Sequence, residues 1–330
     1  MSDINNTPET DVQETSAELN VTDVQETPGK PTITTMQEID VQKTSQKQSV
    51  FKILGKIAIY TFLIVMAIIT IFPFYWMIIS SLKTAEEFRA VVPTLFPQMM
   101  DAANYTEVFD TSVRDFDILR LFTNTVIVGI VSTLLSLVIT IFSAFAFARL
   151  EFKGKNALFA ALLATMMIPG ELFTVTNYVT VNYFGWLNTY TVLIVPFLVS
   201  VFYIYLLKQN FMQIPNELYL AAKVDGTGDF KYLCKVMIPL ALPSIISITI
   251  LKMMGAWNSY MWPRLVNTNP DYHLITNGLR NASFTAAEGN IPDTPVQMAA
   301  VALVSLPLFL VFIFLRKYIM KGVSRSGIKG

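Results

Sequence analysis

Six runs of mostly apolar residues, at roughly 54–80, 121–148, 157–180, 188–207, 239–262 and 297–316, follow one another after residue 50. Each meets or exceeds the ~20 residues that an α-helix needs to cross a bilayer core. None alternates apolar with polar positions as a barrel strand does, so the pattern predicts six transmembrane helices in an all-α membrane protein. Polar or charged connections separate them, at Lys83–Arg120, Arg149–Lys155, Gln209–Met237 and Arg264–Pro295. Prolines fall inside four of the runs: Pro73, Pro169 beside Gly170, Pro196 and Pro307. Each frees a carbonyl that lipid cannot satisfy, and the four together suggest bent helices around a path.

Residues 1–50 differ in kind. They are rich in Thr, Gln, Asp, Glu and Ser, lack aromatic residues, and carry a short element as DVQET at 11–15 and 23–27 and DVQKT at 40–44. The uneven spacing and polar content do not fit a stacking repeat, and such a segment buries too little apolar surface to offset its ordering entropy. A disordered cytoplasmic tail over 1–50 and a six-helix domain over 51–330 are therefore expected. Lysine and arginine decide the orientation, because they collect on the cytoplasmic side near span ends. With the N-terminus inside, sixteen of them fall inside and six outside, leaving out the distal Lys30 and the intramembrane Lys252. Both termini are predicted to be cytoplasmic.

Composition sharpens this picture. The chain is 53% hydrophobic and only 15% charged, against about 25% charged residues in soluble domains. Basic and acidic residues balance at 24 each, so no global charge points to nucleic acid. One cysteine, Cys234, and one histidine, His273, exclude a disulfide framework and any multi-ligand Cys/His metal site within one chain. A membrane-embedded hydrolase is left without a plausible centre.

The connection between spans four and five is the most informative stretch. It reads Ile214-Pro215-Asn216-Glu217-Leu218-Tyr219-Leu220-Ala221-Ala222-Lys223-Val224-Asp225-Gly226, and continues to Ile238-Pro239-Leu240-Ala241-Leu242-Pro243. Asn216 is placed to cap a short helix with Glu217 at the positive end of its dipole. Ala221 and Ala222 leave a face that another protein can approach closely. Gly226 suits the left-handed position that ends the helix, and Thr227 or Asp229 is placed to cap the next one. A helix-turn-helix on the cytoplasmic surface is the result.

This pattern, I-P-x-E-L-x-x-A-A-x-x-D-G followed by P-L-x-x-P, resembles the EAA loop of binding-protein-dependent ABC importer permeases. Other segments resemble the carbohydrate branch of that family, the MalG type: Pro73-Phe74-Tyr75-Trp76-Met77 with Ser81-Leu82-Lys83-Thr84; Ala144-Phe145-Ala146-Phe147-Ala148-Arg149-Leu150 with Phe152-Lys153-Gly154; Met166-Met167-Ile168-Pro169-Gly170-Glu171; Trp257-Asn258; and the C-terminal Gly322-Val323 with Gly327-Ile328-Lys329-Gly330. The resemblance spans about 55–330. It implies a type I ABC importer permease fold in the cytoplasmic membrane of a prokaryote and a sugar or oligosaccharide as substrate. It also implies three kinds of partner: a second, MalF-like permease subunit, an ABC ATPase dimer and an extracytoplasmic solute-binding protein. No G-x-x-x-x-G-K-[ST] loop is present, so ATP and Mg are expected on the ATPase partner, with no cofactor and no catalysis on this chain.

By the same resemblance, the coupling loop at 211–238 docks in a groove of the ATPase through Glu217, Leu220, Ala221, Ala222, Asp225 and Gly226. Leu220 stands where the pattern carries a glutamate, which removes one carboxylate from that contact and leaves an apolar one. The external loop at 264–295, with Asn267, Asn269, Asn277, Asn281 and Asn290, is expected to meet the solute-binding protein.

Ionisable residues at membrane depth face a cavity or a partner. Glu171, Asn177, Lys252, Trp257 and Asn258 are therefore candidates for the translocation path, with Lys252 near the middle of span five. Tyr178 is a further hydrogen-bonding candidate, and Tyr260 and Trp262 are candidates for stacking on a sugar ring. Against this stands pairing of Glu171 with Lys252, or of either with the second subunit, and an interfacial belt for the aromatics. A reading from another class, an ion- or proton-coupled secondary transporter, would use Glu171 and Lys252 as its coupling pair.

Overall fold

The computed structural model describes residues 33–111, 116–282, 284 and 292–324, and the side chains of these from 53 to 316. The DVQET elements within 1–32, Asn290 and the terminal Gly327–Gly330 lie outside the described residues. The described chain is helical: α1 (Ile33–Ser81), α2 (Ala85–Arg89), α3 (Ala103–Glu107), α4 (Ile118–Arg149), α5 (Lys155–Thr165), α6 (Thr174–Tyr183), α7 (Tyr190–Ile194), α8 (Val201–Met212), α9 (Asn216–Val224), α10 (Asp229–Tyr232), α11 (Ile238–Trp257), α12 (Met261–Val266), α13 (Ile275–Asn281) and α14 (Thr294–Ser324). The chain divides into two units at Thr70/Ile71. In the first, α1 begins at Ile33, inside the stretch expected as tail; no Gly or Pro interrupts the sequence between Pro31 and that unit's end except Gly55. Its residues Ile53–Thr70 present apolar side chains outward along the whole length, as a lipid-facing helix requires.

Four helical stretches are long and apolar enough to cross a membrane unbroken: Ile53–Ser81, Ile118–Arg149, Asp229–Trp257 and Thr294–Arg316. The third and fourth expected spans are each a bent pair. Lys155–Thr165 and Gly170–Tyr183 meet at 83°, and Tyr190–Phe197 and Val201–Met212 meet at 45°. The breaks follow the sequence: Pro169 opens a 3₁₀ turn at Gly170–Phe173, and Pro196 sits in a second at Val195–Phe197. Pro73 and Pro307 lie inside helices that continue through them.

Span five departs from expectation at both ends. It is continuous from Asp229, through a π-turn at Leu233–Met237, to Trp257, and Asn258 is its C-cap. The widened turn lies just before Pro239, whose missing N–H and ring disturb the regular hydrogen-bond ladder there. Lys252 is consequently nearer the C-terminal end of this span than its middle.

In the second unit α4 is the central element. At one end it packs with α8, α9 and span five around Phe145, Leu207, Phe211, Tyr219, Tyr232 and Met237, all buried. At the other end it carries the segment 267–281. Asn124 Nδ2 donates to the carbonyls of Asp271 and His273 at 2.8 and 3.0 Å, Tyr190 Oη donates to Asn124 Oδ1 at 2.7 Å, and Ile275 N donates to Thr125 Oγ1 at 2.8 Å. Asn188, at φ 56°, accepts from the amides of Thr268 and Asn269 and fastens the turn after α6 to the same segment. The described part of the loop expected outside is therefore a packed cap. Of this loop's described asparagines, Asn267 and Asn277 are buried and Asn269 and Asn281 are exposed.

Gly278 allows that cap to close on α4. A Cβ at this position would lie 2.4 Å from Leu121 Cδ2 and 2.7 Å from Cδ1, and Leu121 is itself buried. Gly278→Ala is expected to cost about 1–3 kcal/mol through overpacking, read as a lower melting temperature of the detergent-solubilised protein. Adding Leu121→Ala should return part of that loss. Unchanged melting of the single variant would show that the two elements do not approach so closely.

Candidate functional site

Two regions collect the candidate residues: the segment around α9, and a cavity beside Lys252.

Helix α9 begins after Pro215, which occupies the N-cap position without a side-chain bond; Asn216 is already the first helical residue and does not cap. Asp229 likewise does not cap the next helix. It is that helix's first residue, and its carboxylate accepts a 2.8 Å hydrogen bond from Tyr219 Oη. A residue one position inside the helix cannot offer its side chain to its own first amides as an N-cap does. Gly226 adopts φ +71° and ends α9 as expected, with its amide donating to the Lys223 carbonyl.

The 3.6-residue period sorts the helix into two faces. Tyr219 is buried against the rings of Tyr232, at 5.1 Å, and Phe145, at 6.5 Å, and Ala222 packs on the same cluster. Glu217, Leu220, Ala221 and Val224 form the opposite, exposed face, with Val224 88% exposed. Burial pushes the Tyr219 phenol above its ordinary value, an effect that Lys223 opposes and the Asp229 carboxylate reinforces. The hydroxyl thus stays protonated at neutral pH and donates to Asp229. Because Asp229 opens the helical stretch that runs on through span five, this bond joins α9 directly to a transmembrane element.

Arg149, the last residue of α4, supplies a second joint. Its side chain is buried, and Nη2 donates to the carbonyls of Phe211 at 3.0 Å and Ile214 at 2.6 Å. The guanidinium thereby sits where the C-terminal ends of α4 and α8 converge, a position at which a cation answers two helix dipoles and the Ile214 carbonyl, and shares the Phe211 carbonyl with the Ile214 amide. Sequence reasoning placed Arg149 only within a motif. The polar Asn124-Thr125 pair, Tyr219 and Asp229 were also missed as joints; a buried-capable tyrosine ten residues from an aspartate was the available signal.

The second region is a cavity of about 410 Å³ lined by α4 (Val128, Ser132), the break in span four (Phe197, Ser200, Tyr203), α11 (Lys252) and the segment after it (Ser259, Trp262), among others. The Lys252 ammonium donates to the Phe197 carbonyl, a group that the break leaves outside the helical ladder. Of the other path candidates, Glu171 and Asn177 are exposed on the bent third span, and Asn258 is exposed with its amide on the Met254 carbonyl. Trp257 is buried in the protein interior, edge-on to Phe122 at 5.7 Å and beside Leu121 and Ile275, and does not line the cavity. Trp262 does line it, with its indole N–H donating to the Val192 carbonyl at 2.9 Å. Tyr178 and Tyr260 are half-buried outside the lining. Among the described residues no ion pair joins Glu171 to Lys252, and no cluster of His, Cys, Asp or Glu could hold a metal ion.

These features, a bent span beside a cavity and a short helix with an exposed apolar face, are those of a transport permease. The model of the family described as "Binding-protein-dependent transport system inner membrane component" matches residues 48–325, and the chain belongs to that family. It is 28% identical over 277 residues to the arabinooligosaccharides transport system permease protein AraQ of Bacillus subtilis (strain 168), covering 83% of this chain and 96% of that one. It is 29% identical over 281 residues to the trehalose/maltose transport system permease protein MalG of Thermococcus litoralis, covering 84% and 99%. The sn-glycerol-3-phosphate transport system permease protein UgpE of Rhizobium meliloti is 29% identical over 283 residues, covering 84% and 98%. A crystal structure of a bacterial ABC transporter involved in the import of the acidic polysaccharide alginate contains a chain that matches with a TM-score of 0.73 at 20% identity, over 82% of this chain and 97% of that one. The chain is thus a multi-pass permease of the cytoplasmic membrane with the ABC importer permease fold. Members of this family work with a partner permease, an ATPase and a solute-binding protein. The family also decides against the self-sufficient secondary transporter.

Replacing Arg149 tests the joint between α4 and α8. Arg149→Met leaves the Ile214 carbonyl without its donor, the Phe211 carbonyl keeping the Ile214 amide at 3.3 Å, at a cost of about 1–3 kcal/mol for a buried group left unsatisfied. The variant should melt earlier in detergent, while Arg149→Lys, which can still reach one carbonyl, should fall between. Equal melting of all three would remove Arg149 from this role.

Proposed function

We propose that this chain is one of two permease subunits of an ATP-driven importer for a sugar or oligosaccharide, with both termini in the cytoplasm and a MalF-like second subunit. AraQ and MalG, permeases for arabinooligosaccharides and for trehalose or maltose, support the solute class. ATP and Mg belong to the ATPase dimer, and this chain binds no cofactor and catalyses no reaction.

The observation that carries the reading is the division of α9 into two faces. Glu217, Leu220, Ala221 and Val224 are exposed, while Tyr219 is buried and bonded to the first residue of the helix that becomes span five. A helix of this length is not stable alone in water, and its apolar outer face requires a partner. The ATPase groove is that partner. Asp225 and Gly226 set the turn, and Leu220 supplies an apolar contact where a carboxylate is the usual residue.

Mechanically, ATP-driven closure of the ATPases moves α9. The Tyr219–Asp229 bond and the Arg149 fork pass the displacement to span five, α4 and α8 as a body, because the cluster around Phe211, Tyr232 and Met237 is packed without a flexible linker. Access to the path then switches from the cytoplasmic to the external side. The solute-binding protein delivers solute at the cap formed by 267–281. Such a cycle needs two states of different affinity and not a standing pore.

Co-purification from detergent-solubilised membranes tests the reading. A tagged chain should bring down a second permease and an ATPase, and ATP hydrolysis should rise when solute-loaded binding protein is added. A chain that purifies alone and moves solute in liposomes would overturn it. Gly226→Pro, which forces φ to about −65° where the chain has +71°, should reach the membrane but lose solute-stimulated hydrolysis. Val224→Asp should weaken recovery of the ATPase without lowering the permease's own melting temperature. Normal uptake by either variant would dissociate α9 from coupling.

A further inference from the structure

The relatives' solutes include both neutral sugars and a phosphate ester, so the family leaves the charge of the solute open. The cavity beside Lys252 bears on it. Its lining supplies hydroxyls from Ser132, Ser200, Tyr203 and Ser259 and aromatic surface from Phe197, Tyr203 and Trp262. Among the described residues that line the cavity, Lys252 is the one ionisable cation and none is a carboxylate. Its volume, about 410 Å³, lies in the range of small-molecule sites.

An ammonium carries three donors. One of those of Lys252 goes to the Phe197 carbonyl, and among the described residues no carboxylate forms an ion pair with it. A lysine recruited only to cap a broken helix would serve as well on a lipid-facing surface, by reaching toward the interface. Here it lies five residues before the end of span five, or about 8 Å at the helical rise, and opens on the same cavity as the hydroxyls. In a cavity with apolar walls a fixed positive charge raises the local concentration of anions and excludes cations. Neutral sugars gain little from it, since hydroxyls suffice for them.

We propose that Lys252 is a solute-contacting residue and that the imported solute is an anionic, polyhydroxylated molecule, its negative charge met by the Lys252 ammonium and its hydroxyls by the serine and tyrosine lining. The inference rests on the importer reading above. The anion is either a sugar carboxylate or a phosphate ester, both of which present anionic oxygens to the ammonium.

The test uses the assembled importer in proteoliposomes with its own solute-binding protein, measuring ATP hydrolysis and uptake with trigalacturonate, sn-glycerol-3-phosphate and maltotriose. One of the two anions should stimulate, and which of them does so identifies the carboxylate or the phosphate as the source of the charge. Lys252→Gln should reduce uptake of that anion about tenfold or more, the size of effect expected on losing one desolvated charge contact. Lys252→Arg should preserve most of it, and the assembled complex should elute unchanged in both variants. Stimulation by maltotriose alone, or by neither anion in an assembled complex, overturns the proposal and leaves the importer intact. Undiminished anion uptake by Lys252→Gln also overturns it. So does failure of Lys252→Gln, but not Lys252→Arg, to assemble, which would place the lysine at the subunit interface. Absence of any ATPase from the purified complex would instead contradict the importer reading itself.

Discussion

A backbone carbonyl released from its helix inside an apolar surrounding must find another donor, and the arrangement of this permease follows from where that happens. Span four releases one at Phe197, where the helix breaks, and Lys252 answers it from span five. Just past the C-terminal end of span four the Ile214 carbonyl needs a donor, and Arg149 supplies it from the end of α4 while also donating to Phe211. Two cations thus fix the same bent span at both of its weak points. The break opens the cavity, and the terminal joint holds α9 against the remaining helices.

Polar residues near the other end of α4 work on the same principle. Asn124 and Thr125 interrupt an apolar run and satisfy the backbone of the segment 271–275, which would otherwise be an irregular chain with unpaired groups. His273 is buried in this packing, and burial holds its imidazole below its ordinary value. This end of the bundle is therefore anchored by neutral hydrogen bonds, and the α9 end by a buried aromatic cluster with one arginine and one tyrosine–aspartate pair. The α9 cluster and the cavity share three elements, α4, span four and span five.

Much of this was legible in the chain. Long apolar runs gave the six spans because membrane-crossing helices need length and lack of charge more than any particular residue, and Pro169 and Pro196 marked the two that bend. Gly226 was legible because only a residue free of Cβ takes its backbone angle without strain. What escaped was tertiary. Asn216 and Asp229 look like caps by type, yet the helix starts place each one position inside, and Asp229 was instead claimed by Tyr219. The asparagine-rich stretch after span five reads as solvated, although Asn267 and Asn277 are buried because α4 offers partners to their neighbours. Trp257, a candidate for the path by position, belongs to the interior because Leu121 and Ile275 close over it. Periodicity within one helix carries no information about which neighbour arrives.

The central claim is that the exposed face of α9 meets an ATPase and moves with it. Site-directed disulfide cross-linking tests this most directly, with Val224→Cys introduced beside Cys234→Ser, because Cys234 is exposed. Paired with cysteines placed along the groove of the co-purified ATPase, Val224→Cys should give a cross-linked permease–ATPase product whose yield changes when ATP is added. An assembled, solute-importing complex that forms no such product at any groove position would contradict the account.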